Sequence, residues 1–527
     1  MKSKYLLVTV IASFLLISCE DFLERPPKGV FTDENFFLTP DAGFGSVVKC
    51  YKTLNDFYGY EAPRAELGNM ATDDSEKGGS DAGDRPFVSD LAHGRATASN
   101  QTLSNLWATM YTGIGNCNIC LENIPTKPII DAGGVPVTKE VKARYIAEVK
   151  FLRAFYYFEL AKIFGGVPLV VNTPKTSDGP KLVRATENET FLAIMKDLDE
   201  AAKEINLPSA ASLPTEELGR VTREAVWAMQ ARVYMYFAKD DSSLYAKAKD
   251  AAFSVIDTKY FELESNFQSL FLAGGYRSKE GIFTSIRGDN PALYIYGSFI
   301  PLYTSPRGPS GAWGFDQPTK NLVDEFEPGD PRLLFTIIET GDKFETETLN
   351  FTTYPNLSGY HNRKSYLPPS RRGAGWGDDA WSFHIIRYAD VLLMYAEALL
   401  QTGGDPAEVA EYINKVRRRA NNSRTPDAEA SLRIMTIPNT PMIYVTATDD
   451  LMKAIQHERR VELAMEYNRL YDLKRWNVYV ETMNAFSASP EAYGRGSAFK
   501  LGISELFPIP QTEIDRSQKS IKQNFGY

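Results

Sequence analysis

The residues whose type and spacing could do chemistry begin with a thiol. Lys2 and Lys4 precede an apolar run from Tyr5 to Ile17, then come Ser18 and Cys19, with Glu20 and Asp21 directly after. A basic start, a short apolar stretch and a small residue before the cut describe a secretory peptide. The run is too short for a spanning helix, which needs roughly 20 apolar residues. Leu16-Ile17-Ser18-Cys19 resembles a lipobox, in which the cysteine sulfur accepts a diacylglyceryl group before the peptide is cut in front of it. Residues 1–18 are expected to be lost, and Cys19 to carry diacylglycerol and an N-acyl chain of the palmitate kind. Each buried methylene contributes about 0.8 kcal/mol, and a stable anchor takes more than one chain.

A second set is aromatic. Tyr294, Tyr296, Trp313 and Trp376 fall in a loop-rich stretch, residues 274–380, with Trp381 just beyond, and Asp73, Asp74, Arg307 and Asp316 are polar companions. Sugars present flat apolar C–H faces and hydroxyl edges, so rings to stack on and a few polar groups to orient hydroxyls are what a saccharide site needs. For any one of these rings, core or interface filler is a more ordinary role than ligand contact. Trp107, Trp227 and Trp476 fall inside helical patterns and are expected in the core. Thr72-Asp73-Asp74 offers oxygen ligands of the kind calcium takes, although a surface turn is the plainer expectation.

Other chemistries are poorly served. Glu458 and Glu462 could be paired for glycoside hydrolysis, but a glycosidase holds its carboxylates on opposite sides of the sugar. These two share a helix face among arginines, which would lower a general acid's pKa rather than raise it. No catalytic residue is expected. His93, His361, His384 and His457 are not spaced as metal ligands. Cys117-Asn118-Ile119-Cys120 matches C-x-x-C without an adjoining strand, so half-buried helix cysteines are expected, and with Cys50 the count is odd, against a disulfide framework. Without residues 1–18, the 58 basic residues fall by Lys2 and Lys4 to 56 against 67 acidic ones, a net charge of about −11. Nucleic acid is therefore not an expected partner, and the one basic cluster, Arg417-Arg418-Arg419, reads as a solvated helix face.

The elements that must position these residues are helical. From Val141 to Phe164, Ile146, Val149, Leu152, Tyr156, Leu160 and Ile163 recur at three- and four-residue steps, predicting an amphipathic helix that Gly165-Gly166-Val167-Pro168 ends. Similar patterns cover 42–54, 101–123, 187–205, 220–237, 245–256, 385–401, 407–420 and 449–471. Thr222 and Ser242-Ser243 stand where N-caps belong. On the last pattern Glu458, Glu462 and Glu466 share a face at four-residue spacing, so Arg459, Arg460 and Arg469 are expected to compensate them. Helix pairs of this length suggest degenerate tetratricopeptide units. The segment 78–98 is rich in Gly, Ser and Asp.

Together the motifs resemble the SusD/RagB family of nutrient-binding outer-membrane lipoproteins. They are Cys19 to Pro27; Leu67 to Asp74; Trp107 to Tyr111 with Ile114 and Asn118; Glu148 to Pro168; Gly219 to Thr222; Arg387 to Glu397; Asn414 to Ala420; Glu458 to Trp476; Phe507 to Pro510; and Gln523 to Tyr527. Phe525 and Tyr467-Asn468 depart from the usual family letters. The resemblance implies a mainly α fold with a tetratricopeptide-like scaffold, a loop-rich ligand-facing half and little β, as one domain over 19–527. It also implies a lipid-anchored protein facing the cell exterior, with a glycan ligand and a TonB-dependent SusC-like transporter over which it acts as a hinged lid. Peptide binding or structural assembly are the family's other options. An open aromatic platform would favour glycan, and a charged or closed groove peptide or assembly.

Overall fold

The computed structural model describes residues 36–173, 182–272, 274–288, 297–307, 311–350, 357–372, 377–423 and 436–527. Cys19 and the segment before it lie outside them, as do Tyr294, Tyr296 and Trp376.

The helical expectation holds. Long helices run over Ala42–Lys52 (α1), Gln101–Asn123 (α2), Lys139–Phe164 (α3), Glu187–Ala202 (α4), Arg223–Phe237 (α5), Leu244–Asp257 (α6), Tyr388–Gln401 (α7), Pro406–Asn422 (α8) and Leu451–Glu462 (α9). Shorter ones follow at Arg469–Arg475 (α10) and Tyr479–Phe486 (α11). Side chains start them: Asn100 caps α2, Thr138 caps α3 and Thr222 caps α5, while Thr186 and Glu189 form a reciprocal capping box on α4. Ser243 is the N-cap residue of α6 but makes no side-chain cap bond. Gly165 ends α3 at φ 72°, a conformation that favours glycine. Neighbours in sequence pack on one another, α2 on α3, α3 on α4, α4 on α5, α5 on α6, α6 on α7 and α7 on α8. This is the tetratricopeptide-like stacking that helix pairs produce.

The strands are short and antiparallel: β1 Ser75–Gly78 with β3 Phe315–Pro318, β2 Gly281–Ser285 with β8 Phe383–Arg387, β4 Ile337–Glu339 with β7 Tyr360–Asn362, and β5 Lys343–Phe344 with β6 Glu347–Thr348. β5 and β6 form a local hairpin, and the other three pairs join segments remote in sequence. The principal apolar cluster runs from Phe37 to Ile521.

Several expectations fail, most of them because charge is buried as ion pairs. Instead of an amphipathic surface helix, the last three turns of α3 are enclosed on every side; Glu159 and Lys162 are buried and pair at 2.7 Å. The pattern over 449–471 is not one helix. It stops at Glu462, and the chain turns through Met465 at φ 61° and Tyr467 at φ 69° before α10. Glu466 therefore leaves the helix face shared by Glu458 and Glu462. Nor do Arg459, Arg460 and Arg469 compensate these glutamates. Glu458 pairs with Arg332 at 2.6 Å and Arg417 at 2.9 Å. Glu462 meets Arg332 at 2.8 Å, together with Arg387 and Arg419, and Glu466 meets Arg387 at 2.8 Å and Lys364 at 2.7 Å. Arg459 turns to Asp390 and Asp472. Of the arginine triplet only Arg418 is solvated, and Arg417 and Arg419 are buried in this network. Trp227 and Trp476 are half-buried, whereas Trp107 is core. The cysteines are fully buried rather than half-buried.

Burial opposes ionisation of Glu462, yet Arg419, Arg387 and Arg332 hold its carboxyl well below the usual range. Removing one partner of such a group costs about 3–5 kcal/mol, because the others are left buried and unpaired.

Buried histidines act on stability in the acid range. Burial holds His384 near 4 and His361 near 3, against an ordinary 6.5. The unfolded chain then binds more protons between those values and 6.5, so this stability is complete above pH 6.5 and is lost as pH falls below it. Asp316, which burial raises to about 7, works in the opposite sense, so the histidine share is read by difference. Urea unfolding at pH 7 and pH 5 is expected to give wild type about 2 kcal/mol more acid-induced loss than His384→Gln; equal losses would refute the neutral buried histidine.

Candidate functional site

Among the described residues, several partly exposed aromatic rings gather around the buried Phe57. The turn Phe57–Glu61 is π-helical and capped by Asp56, whose carboxylate accepts from the Gly59 N–H at 3.0 Å and from the Thr109 hydroxyl at 2.9 Å. A Cβ on Gly59 would sit 1.8 Å from Thr109 Oγ1, so only glycine lets this turn rest on α2. That seat leaves Phe57 buried and turns Tyr58 outward, 57% exposed.

Four other rings meet Phe57, three of them partly exposed. Phe299, 39% exposed, precedes the short helix Ile300–Thr304 and lies 5.5 Å away; Trp313, half-buried, lies 6.0 Å away and edge-on; Tyr58 lies 4.9 Å away, also edge-on. Tyr303 closes the floor at 5.5 Å from Phe57 and 6.1 Å from Trp313, stacks on Phe315 at 4.5 Å, and donates its hydroxyl to buried Glu66 at 2.9 Å. Backbone bonds fix the Trp313 strap: its N–H donates to Leu302 O at 2.8 Å, and that of Gly314 to Ser305 O at 3.0 Å. Tyr58, Phe299 and Trp313 thus form a platform with a buried aromatic floor.

Polar groups stand at its margin. A Cβ on Gly314 would come 3.0 Å from Arg307 Cγ, so the Arg307 stem crosses the chain beside Trp313. Its guanidinium pairs with Asp84 at 3.1 Å, and both remain partly exposed. The loop carrying Asp84 is held by Lys77, whose ammonium donates to the carbonyls of Asp81, at 2.9 Å, and Asp84. A partly exposed ion pair therefore flanks the rings.

Of the sequence candidates, Trp313 and Arg307 come together here. Trp381 does not: it is 4% exposed, donates its indole N–H to Lys364 O at 3.1 Å and packs on Phe383. Asp316 is wholly buried, where it accepts from Ser75 at 2.7 Å, Asn69 at 3.0 Å and Asn362 at 3.3 Å, tying β3 to β1 and β7. Asp73 and Asp74 form no surface turn. They are buried, and their oxygens accept from Arg460 and Arg469, so guanidinium groups stand where a calcium ion would. Despite burial, Arg460 and Arg469 hold Asp73 well below the carboxylate range. Sequence reasoning missed Tyr58, Phe299 and Asp84. The run Phe57-Tyr58-Gly59-Tyr60 was a signal, since glycine between aromatics marks a turn with outward rings.

A concavity of about 740 Å3 opens between α9, α10 and α11. Trp476, Thr482, Gln456 and Lys453 line it, with the His457–Glu325 pair at 2.7 Å and Arg460 and Arg469 below. Its floor charges are matched by Asp73, Asp74 and Glu325. Glu458 and Glu462, the conceivable hydrolytic pair, are fully buried among arginines and reach neither concavity nor platform.

The sequence profile described as the SusD family matches residues 279–527, and one described as starch-binding, associating with outer membrane, matches residues 43–235. "SusD-like protein P2" of Formosa agariphila is 25% identical, covering 99% of this chain and 100% of its own. A solved "laminarin binding SusD-like protein" superposes with a TM-score of 0.73 at 25% identity, over 92% of this chain and 99% of that one. Surface glycan-binding protein A from Bacteroides fluxus superposes with a TM-score of 0.74 at 26% identity, over 93% and 100%.

If the outer rings are surplus to folding, Tyr58→Ala should change unfolding free energy by no more than about 0.5 kcal/mol. Tyr303→Ala, in the floor, should cost about 3–5 kcal/mol. Chemical denaturation of both variants checks this, and a large loss in Tyr58→Ala would make that ring structural.

Proposed function

Because the chain belongs to the SusD family, we propose that it is a glycan-binding lipoprotein of the outer membrane, anchored through Cys19 and facing the exterior. It captures oligo- or polysaccharide on the Tyr58–Phe299–Trp313 platform and delivers it to a TonB-dependent SusC-like transporter. The carrying observation is the platform itself: rings held open to solvent over a buried aromatic floor, with Arg307 and Asp84 at the edge. Exposed aromatic surface is worth little to the fold and much to a ligand with apolar C–H faces. The related laminarin-binding and surface glycan-binding proteins support the ligand class.

The protein acts by binding, not catalysis. A hydrolase needs two carboxylates flanking one sugar bond, and the burial of Glu458 and Glu462 takes the obvious pair away from any substrate. A charged groove would favour a peptide ligand. The charges under the 740 Å3 groove are already matched by one another, which favours the platform as the capturing surface.

Affinity electrophoresis against a polysaccharide panel, with reducing ends assayed in the same mixtures, is expected to give retardation without hydrolysis. Trp313→Ala and Tyr58→Ala should each weaken binding about tenfold or more, as loss of an anchoring ring does. Hydrolysis, or binding indifferent to both rings, would sink the reading, and binding to oligopeptides alone would transfer it to peptides. Cys19→Ser should abolish palmitate incorporation and membrane retention in cells; a variant still labelled with palmitate would refute the anchor.

A further inference from the structure

Cys50 on α1 and Cys120 on α2 stand 70 positions apart in sequence, yet their Sγ atoms lie 3.5 Å from one another. Both side chains are sealed, at 0% and 1% exposure, where α1 packs directly on α2. Cys117, one turn earlier on α2, is also buried. Two sulfurs in van der Waals contact have to move only about 1.5 Å closer to reach bonding distance. A small change in side-chain torsion and helix spacing provides that.

We propose that Cys50 and Cys120 close into a disulfide as the chain folds, leaving Cys117 as the free thiol. One cysteine, as thiolate, attacks a disulfide oxidant R–S–S–R, either a protein disulfide or oxidised glutathione, and expels one R–SH. The second cysteine attacks the resulting mixed disulfide and expels the other. Two cysteine S–H bonds are lost, one S–S bond forms, and the oxidant leaves as two thiols that carry both protons. Export, part of the functional reading above, supplies a compartment where such oxidants persist; the pairing itself rests on geometry alone. Once the core closes, hydrogen bonding within the cluster and burial push the thiols of Cys50 and Cys120 well up. The folded pair is then a poor nucleophile, and the bond has to form during folding. The bridge would staple the first helix to the second across a long loop, which stabilises chiefly by restricting the unfolded chain.

The chain from Glu20 onward can be produced by export into an oxidising periplasm and, separately, in a reducing cytosol, then alkylated in denaturant. Export is expected to give a mass about 2 Da lower, one reactive thiol, and a Cys50–Cys120 linked peptide in a non-reducing digest. The Tm of this form should be a few degrees higher and fall on reduction. Cys117→Ser should keep the link and Cys120→Ala lose it. Three reactive thiols in the exported protein, or a bridge through Cys117, would overturn the proposal. Should Cys120→Ala fail to fold, the maps of wild type and Cys117→Ser decide alone.

Discussion

The structure depends on the carboxylate of Glu462. It lies at the end of α9 with no solvent exposure and receives guanidinium groups from three other places: Arg332 in the loop-rich half, Arg387 at the start of α7 and Arg419 on α8. Glu280, beside β2, reaches two of the same arginines. Desolvating so many charges is expensive, and the arrangement is tolerable only when each has its partners in place. The network therefore specifies more than it stabilises. It ties the loop-rich half to the helices through Arg332, Arg387 and Arg419.

That constraint carries outward to the platform in short steps. Lys364, paired with Glu466 near the network, follows β7, and β7 supplies Asn362 to the buried Asp316 of β3. β3 is hydrogen-bonded to β1, and Lys77 of β1 holds the loop that carries Asp84. From the other side α2 seats the glycine turn that presents Tyr58. Exposed rings held this way lose little freedom when a ligand stacks on them, which is how a shallow surface gains affinity. The 740 Å3 groove is deeper, but its floor belongs to a sister ionic cluster, Arg460 and Arg469 with Asp73 and Asp74, whose partners are already within the protein.

The sequence by itself determined the helical class and most helix positions. Apolar spacing and caps are local properties, so α2 runs over the expected Gln101–Asn123 and α5 begins just after Thr222. It named Trp313 and Arg307 as candidates, and the structure places Trp313 half-buried beside Phe57 and Arg307 paired with Asp84. Only the tertiary structure decided the rest. Whether a charged residue faces water or an opposite charge depends on chain segments far away in sequence. Hence Arg417 and Arg419 looked like a solvated face and are buried, and Asp73, Asp74 and Asp316 looked like ligand groups and are structural. The 449–471 pattern read as one helix because its period continues. It ends at Glu462, and beyond the break Glu466 pairs with Arg387 and Lys364 on other elements. Periodicity records what a segment prefers alone, and pairing across the fold decides where its charges end.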